Sequence, residues 1–208
     1  MSTSPTTKLE AVNTMLSIIG EAPVNSLQTG LVDAETAETI LNNVSREVQS
    51  RGWNFNTELD YVFSPNTDGE VVLPSNIIRA DRAQSEQKYR TSNEEYIQRG
   101  NKIYDKSNHT FTISKKLKLD VIVLLDFEVL PEVARNYITL RASRIFSDRV
   151  VGDLGLSQLN RPDEAQALQD LKEAEADNGN YNIFDDYSTY RILERSPSTE
   201  VDDNGSSF

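Results

Sequence analysis

Residues 44–64, VSREVQSRGWNFNTELDYVFS, contain the change of pattern that decides the fold. Apolar residues recur at helical spacing before Gly52, whereas after it they form the short alternating runs that are typical of strands. A glycine here favours the end of a helix, because it adopts the left-handed backbone conformation without steric cost. The stretch therefore predicts a helical part of the chain that is followed, from about Trp53, by a β-rich part.

Two amphipathic helices are predicted before this boundary. Thr7 and Glu10 have the spacing of a capping box at the start of the first helix, and Gly20 ends that helix. The second helix begins at Asp33 and keeps its apolar residues on one face. Residues 7–52 are therefore expected to form the first helix pair of a bundle.

Residues 53–130 are expected to form an inserted antiparallel β domain. Gly100-Asn101 between two alternating runs indicates a two-residue hairpin turn, and Pro65–Gly69 is typical of a longer turn. The predicted strands are Leu59–Ser64, Glu70–Leu73, Asn76–Ala80, Tyr96–Arg99, Lys102–Asp105, Thr110–Ser114 and Leu119–Phe127.

Helical spacing returns at Pro131 and predicts two more helices. The third helix is expected to end near Gly152. The fourth is expected to begin around Ser157 or Pro162, with Pro162 either in its first turn or at a kink, and to end at Asn178–Asn180.

The order of these elements predicts an α+β fold. Residues 7–52 and 131–180 would pack together as a four-helix bundle, with the β domain inserted between the two helix pairs. The polar, acidic residues 181–208 are expected to form an extended C-terminal tail.

Composition limits the function classes. The chain has 208 residues, no cysteine and a formal net charge of −12. Disulfide frameworks and thiolate metal sites are therefore excluded, and nonspecific attraction to nucleic-acid phosphates is disfavoured. No run approaches the roughly 20 apolar residues of a membrane helix, and no secretion signal precedes the first helix, so we expect neither a membrane partner nor export by that route.

The residues that usually carry chemistry do not form a recognisable site. His109 is the only histidine and is expected in a solvated turn. Trp53 and Phe55 are expected in the core, with a ligand platform as the alternative. Paired carboxylates leave open a second reading, a glycan hydrolase. These pairs are Asp33/Glu35, Glu94/Glu95, Asp163/Glu164 and Asp185/Asp186. We expect no enzyme activity, no catalytic residues, no metal and no cofactor.

Opposite charges are concentrated on the third and fourth helices. Such belts can specify how copies of a subunit meet, and the alternative is two solvated faces. The resulting candidate interface residues are Arg141, Arg144 and Arg149 on the third helix and Asp163, Glu164 and Asp170 on the fourth. Arg135 belongs to the same basic belt by sequence. A short apolar cluster in the tail is a further candidate contact. It comprises Tyr187, Tyr190, Ile192 and Leu193.

Three blocks of sequence suggest a family. In their order along the chain, Leu9–Asn13, Ile18–Val24 and Gln49–Asn56 resemble the N-terminal signature of tail tubular protein A of short-tailed bacteriophages. Shorter similarities occur at Leu130–Glu132, Ala142–Arg144 and Gly179–Asn182. The resemblance covers about residues 8–186 and is weakest in the β region.

The resemblance implies a structural protein of the virion tail that is assembled in the host cytoplasm. Proteins of this family form a dodecameric ring between the portal protein and the tail nozzle, tail tubular protein B, and the tail fibre is a further candidate partner. The genome passes through the ring without specific binding during ejection. Twelve copies would carry a formal charge of about −144, and a negative channel would let DNA slide with little adhesion. The tail after Tyr187 departs from the family pattern, so an anchor and a plain disordered end both stay open.

Overall fold

The computed structural model describes residues 5–28, 30–83, 85, 95–150, 152 and 154–183. In this part of the chain the fold is α+β, as predicted, with four helices and antiparallel sheets. The helices are α1 (Lys8–Ile18), α2 (Val32–Gln49), α3 (Glu132–Val150) and α4 (Leu154–Ile183). The strands are β1 (Thr57–Phe63), β2 (Ile77–Arg82), β3 (Tyr96–Arg99), β4 (Lys102–Asp105) and β5 (Leu117–Val123).

The predicted capping box opens α1. Thr7 Oγ1 accepts a hydrogen bond from the Glu10 backbone at 3.2 Å, and Glu10 Oε2 accepts one from the Thr7 backbone at 2.8 Å. These bonds from Thr7 hold the pKa of Glu10 below its usual value. Gly20 then ends the helix with φ of +84°, as its position predicts.

Helix α4 differs from the prediction at both ends. It begins at Leu154, it contains Pro162 in its interior, and it continues past Asn178–Asn180 to Ile183. A single glycine inside a helix costs only about 1 kcal/mol, so the predicted stop signal is too weak by itself to end a long helix. Residues 181–183 of the predicted tail are therefore helical, and residues 184–208 lie outside the described part of the chain.

The four helices share one core, so the two helix pairs pack together although the β region separates them in sequence. Helix α3 is central, because it contacts each of the other three helices. Its inner face carries the two largest fully buried side chains of this core, Tyr137 and Phe146, neither of which is more than 1% exposed. We call α1–α4 the helical layer.

The β region contains a three-stranded antiparallel sheet in the order β1-β5-β2, and β3 and β4 form a hairpin. The hairpin turn was predicted at the correct position: Gly100, with φ of +64°, and Asn101 connect Arg99 to Lys102. The hairpin contacts β2. A second apolar core lies under these strands, separate from that of the helical layer. It contains Phe63, Val71, Leu73, Ala80, Ile103, Ile113, Leu117, Leu119 and Val121.

Two predicted strands are wrong. Residues 70–73 and 110–114 form only isolated bridges, such as Glu70 to Thr112. Their backbone groups have other partners: the Glu70 N–H donates to Asn66 Oδ1 at 2.9 Å, and the Thr112 N–H donates to Thr110 Oγ1 at 3.0 Å. Side chains that accept hydrogen bonds from backbone N–H groups in this way compete with the backbone hydrogen bonds of a β ladder.

The other strand predictions differ mainly in their ends. Strand β5 begins two residues before the predicted Leu119 and stops at Val123 rather than Phe127. The chain leaves the sheet there because the backbone of Leu125 binds the side chain of Gln49.

Candidate functional site

The family-like block Gln49–Asn56 forms the junction between the two cores. Gln49 is fully buried, and its Oε1 accepts a hydrogen bond from the Leu125 N–H at 2.8 Å while its Nε2 donates to the Leu125 carbonyl at 3.0 Å. Asn56 Nδ2 donates to the carbonyls of Gln49 and Val123, each at 3.0 Å. These bonds hold the exit of β5 against the end of α2.

Gly52 and Trp53 complete this junction. Gly52 has φ of +77°, and a Cβ at this position would lie 2.7 Å from Cδ1 of Ile122. Trp53 Nε1 donates to the Val48 carbonyl at 2.7 Å, and its ring stacks on Phe55 with centroids 6.4 Å apart. Both aromatic residues are partly buried and pack against the core of the helical layer, as predicted. The block therefore has a structural role.

The predicted charge belts meet inside one subunit. Arg144 Nε donates to Glu164 Oε2, so α3 and α4 are joined by a hydrogen-bonded ion pair. Arg141 lies 3.3 Å from Glu164 through Nη1 and 2.6 Å from Glu47 through Nη2. The Glu164 side chain is only 13% exposed, which limits the screening of these charges by solvent.

These residues line a groove of about 410 Å³ between α3 and α4. We call it the arginine groove. It contains four arginines and one glutamate, although the whole chain has a net charge of −12. Arg141 Nε is buried there and has no hydrogen-bond partner in the described part of the chain. The lining residues are Arg51, Tyr137, Arg141, Arg144, Arg161, Glu164, Ala165 and Leu168.

Both central arginines are stabilised in their charged form. Partial burial acts to lower the pKa of Arg141, but interactions with Tyr137, Glu47 and Glu164 raise it above its usual value. The hydrogen bond to Glu164 raises the pKa of Arg144, again against partial burial. The groove therefore keeps its positive charge across the physiological pH range.

The remaining interface candidates lie elsewhere. Arg149 borders a different hollow, of about 360 Å³, together with Val32 and Glu35. Asp163 and Asp170 are exposed on α4, where Asp170 accepts a hydrogen bond from Gln166 at 2.8 Å. The tail candidates Tyr187, Tyr190, Ile192 and Leu193 lie outside the described residues. Contact between any of these residues and a second copy stays a prediction.

Arg135 is not part of an exposed basic belt. It is only 7% exposed, and its guanidinium donates to the backbone carbonyls of Leu130 at 2.7 Å, of Thr6 at 2.8 Å and of Glu128. Three carbonyl acceptors satisfy a buried cation without a carboxylate partner. Sequence reasoning missed this clamp, because helical spacing alone does not distinguish Arg135 from the arginines that follow it.

Asn13 was also missed as an individual residue, although it lies in a family-like block. Its side chain accepts from the Val24 N–H at 2.8 Å and donates to the Val24 carbonyl at 2.9 Å. This pair of bonds fixes the loop after α1. An asparagine on a helix face, eleven residues before an extended loop segment, gives no local signal for such a contact.

Of the groups considered for catalysis, Glu94, Asp185 and Asp186 lie outside the described residues. His109 lies in an exposed turn, as predicted. Glu164 of the Asp163/Glu164 pair forms ion pairs with Arg141 and Arg144. No set of three or more metal-ligating side chains occurs among the described residues. Within the same part of the chain, no helix has the length and apolar content needed to cross a membrane.

Two cores joined by a junction of buried amides, with charged side chains that tie helix to helix, define a two-core α+β protein. The comparison with known families then gives the identification: the chain belongs to the tail tubular protein family, whose family model matches residues 9–181. It is similar to tail tubular protein A of Klebsiella phage KP34, with 26% identity over 167 residues, 80% of this chain and 86% of that protein. The chain is a structural protein of a bacteriophage tail.

Proposed function

We propose that this protein is the ring-forming adaptor between the portal protein and the tail nozzle, and that its ring encloses part of the DNA channel. The family match carries this proposal, because it extends through the helical layer and the β region from residue 9 to residue 181. In this proposal twelve copies form the ring, which is assembled in the host cytoplasm and becomes part of the virion tail.

The charges of the helical layer support contacts between copies. A ring requires a head-to-tail contact in which two different surfaces of the subunit meet. The arginine groove has an excess of positive charge, and α4 exposes Asp163 and Asp170. A carboxylate from a neighbouring copy would also satisfy the unpaired Nε of Arg141. In this arrangement Arg144 and Glu164 hold α4 in place, and Arg149 contributes from the other hollow.

The acidity of the chain supports the channel part of the proposal. A subunit with a net charge of −12 has little attraction for DNA phosphates, so a ring of such subunits lets the genome pass without adhesion. The tail residues Tyr187, Tyr190, Ile192 and Leu193 are proposed to anchor on the portal.

The test is light scattering and negative-stain imaging of the purified protein, alone and mixed with portal rings of the same phage. We expect either a ring of the protein alone or a second ring stacked on the portal. A variant without residues 187–208 serves as the matched comparison: it should still form rings but should bind the portal less tightly.

A monomer that does not associate with the portal under either condition would overturn the adaptor proposal. Intact portal binding by the shortened variant would remove only the anchor role of the tail. DNA retained by the assembled ring at physiological salt would contradict the proposed non-adhesive channel.

A further inference from the structure

The outer strand of the three-stranded sheet exposes an apolar surface. Leu59 is 67% exposed, Val62 50% and Tyr61 47%. Strand β1 pairs only with β5 in this sheet, so its other edge has no strand neighbour among the described residues. An exposed apolar edge strand favours pairing or packing with another chain. We call Glu58, Leu59, Tyr61 and Val62 the β1 surface.

A second exposed surface lies at the β3–β4 hairpin. The guanidinium of Arg99 lies 3.7 Å from the ring centre of Tyr104, and Phe111 contacts the same ring edge-on at 4.9 Å. Val72 beside them is 41% exposed. Arginine and aromatic side chains are enriched in the centres of protein interfaces. We call Val72, Arg99, Tyr104 and Phe111 the hairpin surface.

The two surfaces differ in charge. Strand β1 carries Glu58 and Asp60 and no basic residue. The hairpin surface carries Arg99 and no acidic residue, so its charge is positive, although the chain as a whole has a net charge of −12. Opposite charges around two apolar centres favour contact between the β1 surface and the hairpin surface.

The two surfaces also lie on different sides of β5. Strands β1 and β2 flank β5 in the sheet, and the hairpin contacts β2. One copy can therefore present its β1 surface to one neighbour and its hairpin surface to the other. A contact that joins two different surfaces in this way repeats from copy to copy and closes into a ring when the rotation permits.

We infer that the occupant of the β1 surface is the hairpin surface of a second copy of this chain. Leu59, Tyr61 and Val62 pack against Val72, Tyr104 and Phe111 of the neighbour, and Glu58 lies near the neighbour's Arg99. This inference rests on the proposed ring and specifies which part of the β region joins adjacent subunits.

The absence of cysteine from the chain gives a clean crosslinking test. Leu59→Cys and Phe111→Cys are made as separate variants and treated with a short bis-maleimide under ring-forming conditions, with portal rings added if they are needed. We expect a crosslinked dimer from the mixture of the two variants and none from either variant alone. Asn42→Cys, at an exposed position on α2, mixed with Phe111→Cys is the control and should give no dimer.

The outcomes separate the inference from the proposed function. Rings without crosslinks in the Leu59/Phe111 mixture, or crosslinks of the Leu59 variant with itself, overturn the inference and leave the adaptor role intact. A protein that forms no ring with or without the portal overturns both.

A second measurement tests the inference without cysteine variants, in case these do not fold. Leu59→Lys adds positive charge to the β1 surface, which faces the neighbour's Arg99 in this inference, whereas Leu59→Met keeps the surface apolar. We expect the lysine variant to have the wild-type melting temperature but at least tenfold weaker ring assembly, and the methionine variant to assemble normally. Equal assembly of the two variants overturns the inference.

Discussion

The helical layer and the β region differ in where they leave apolar side chains exposed. Among the described residues, twenty buried apolar side chains form the core of the helical layer, and the exposed Leu31, Val32 and Val150 lie at or next to the ends of its helices. The β region has a core of nine such residues among those described, and it exposes Leu59, Tyr61 and Val62 in the middle of a strand. Apolar residues at helix ends are ordinary in a monomer, whereas a strand that exposes three in four residues indicates a partner.

The largest effect should come from the core of the helical layer. Phe146→Ala removes a fully buried ring from the inner face of α3 and should lower the free energy of unfolding by about 3–5 kcal/mol. Urea denaturation followed by circular dichroism measures this loss. Val150→Ala, on the same helix but 43% exposed, is the control and should cost less than about 1 kcal/mol. Equal losses would contradict the described core.

The junction should give the next largest effect, because it connects the two regions. Asn56→Ala leaves the Trp53 N–H and the carbonyls of Gln49 and Val123 without their partner, which should cost about 2–4 kcal/mol. Asn54→Ala, two residues away and exposed, is the matched control and should change little. Hydrogen exchange should show faster exchange at the junction in the Asn56 variant only. If both regions keep wild-type protection, the junction does not couple them.

A smaller effect is expected at the arginine groove. Glu164→Gln removes the charge that Arg141 and Arg144 share and should cost about 1–2 kcal/mol, since the three side chains are partly screened by solvent. Asp163→Asn at the neighbouring exposed position is the control. The melting temperatures of both variants are measured by thermal denaturation at low and at high salt. Only the Glu164 variant should melt below the wild-type temperature. No loss would mean that the ion pairs do not hold α4.

The smallest effect is a pH dependence within the β region. Burial raises the pKa of Asp105, but hydrogen bonds from Asn108 and Ser107 and the charge of Lys115 lower it more, so the net direction is below the usual 3.8. A lowered pKa in the folded state adds stability that is fully present above pH 3.8 and is lost as the pH falls through the folded-state value. Asp105→Asn should therefore cost about 1 kcal/mol at neutral pH, and the difference should shrink only below pH 3.8. Asp68→Asn, in an exposed turn, should show no such trend.

Local signals allowed some elements to be predicted from the sequence. The Thr7–Glu10 capping box and the Gly100-Asn101 turn were predicted correctly because their bonds join residues at most three positions apart. The junction could not be predicted in this way, since Gln49 binds Leu125 across 76 positions. The sequence shows the opposite charges of Arg144 and Glu164 but not that they pair within one subunit.

The core of the helical layer is discontinuous in sequence, and this affects the order in which the chain can fold during synthesis. Helices α1 and α2 are made first, but the face they bury needs α3, which begins 83 positions after the end of α2, at residue 132. The strands between them, from residue 57 to residue 123, complete their own core as one continuous segment. Contacts that close shorter loops form sooner. The β region is therefore expected to fold on the ribosome before α3 is available to pack against α1 and α2.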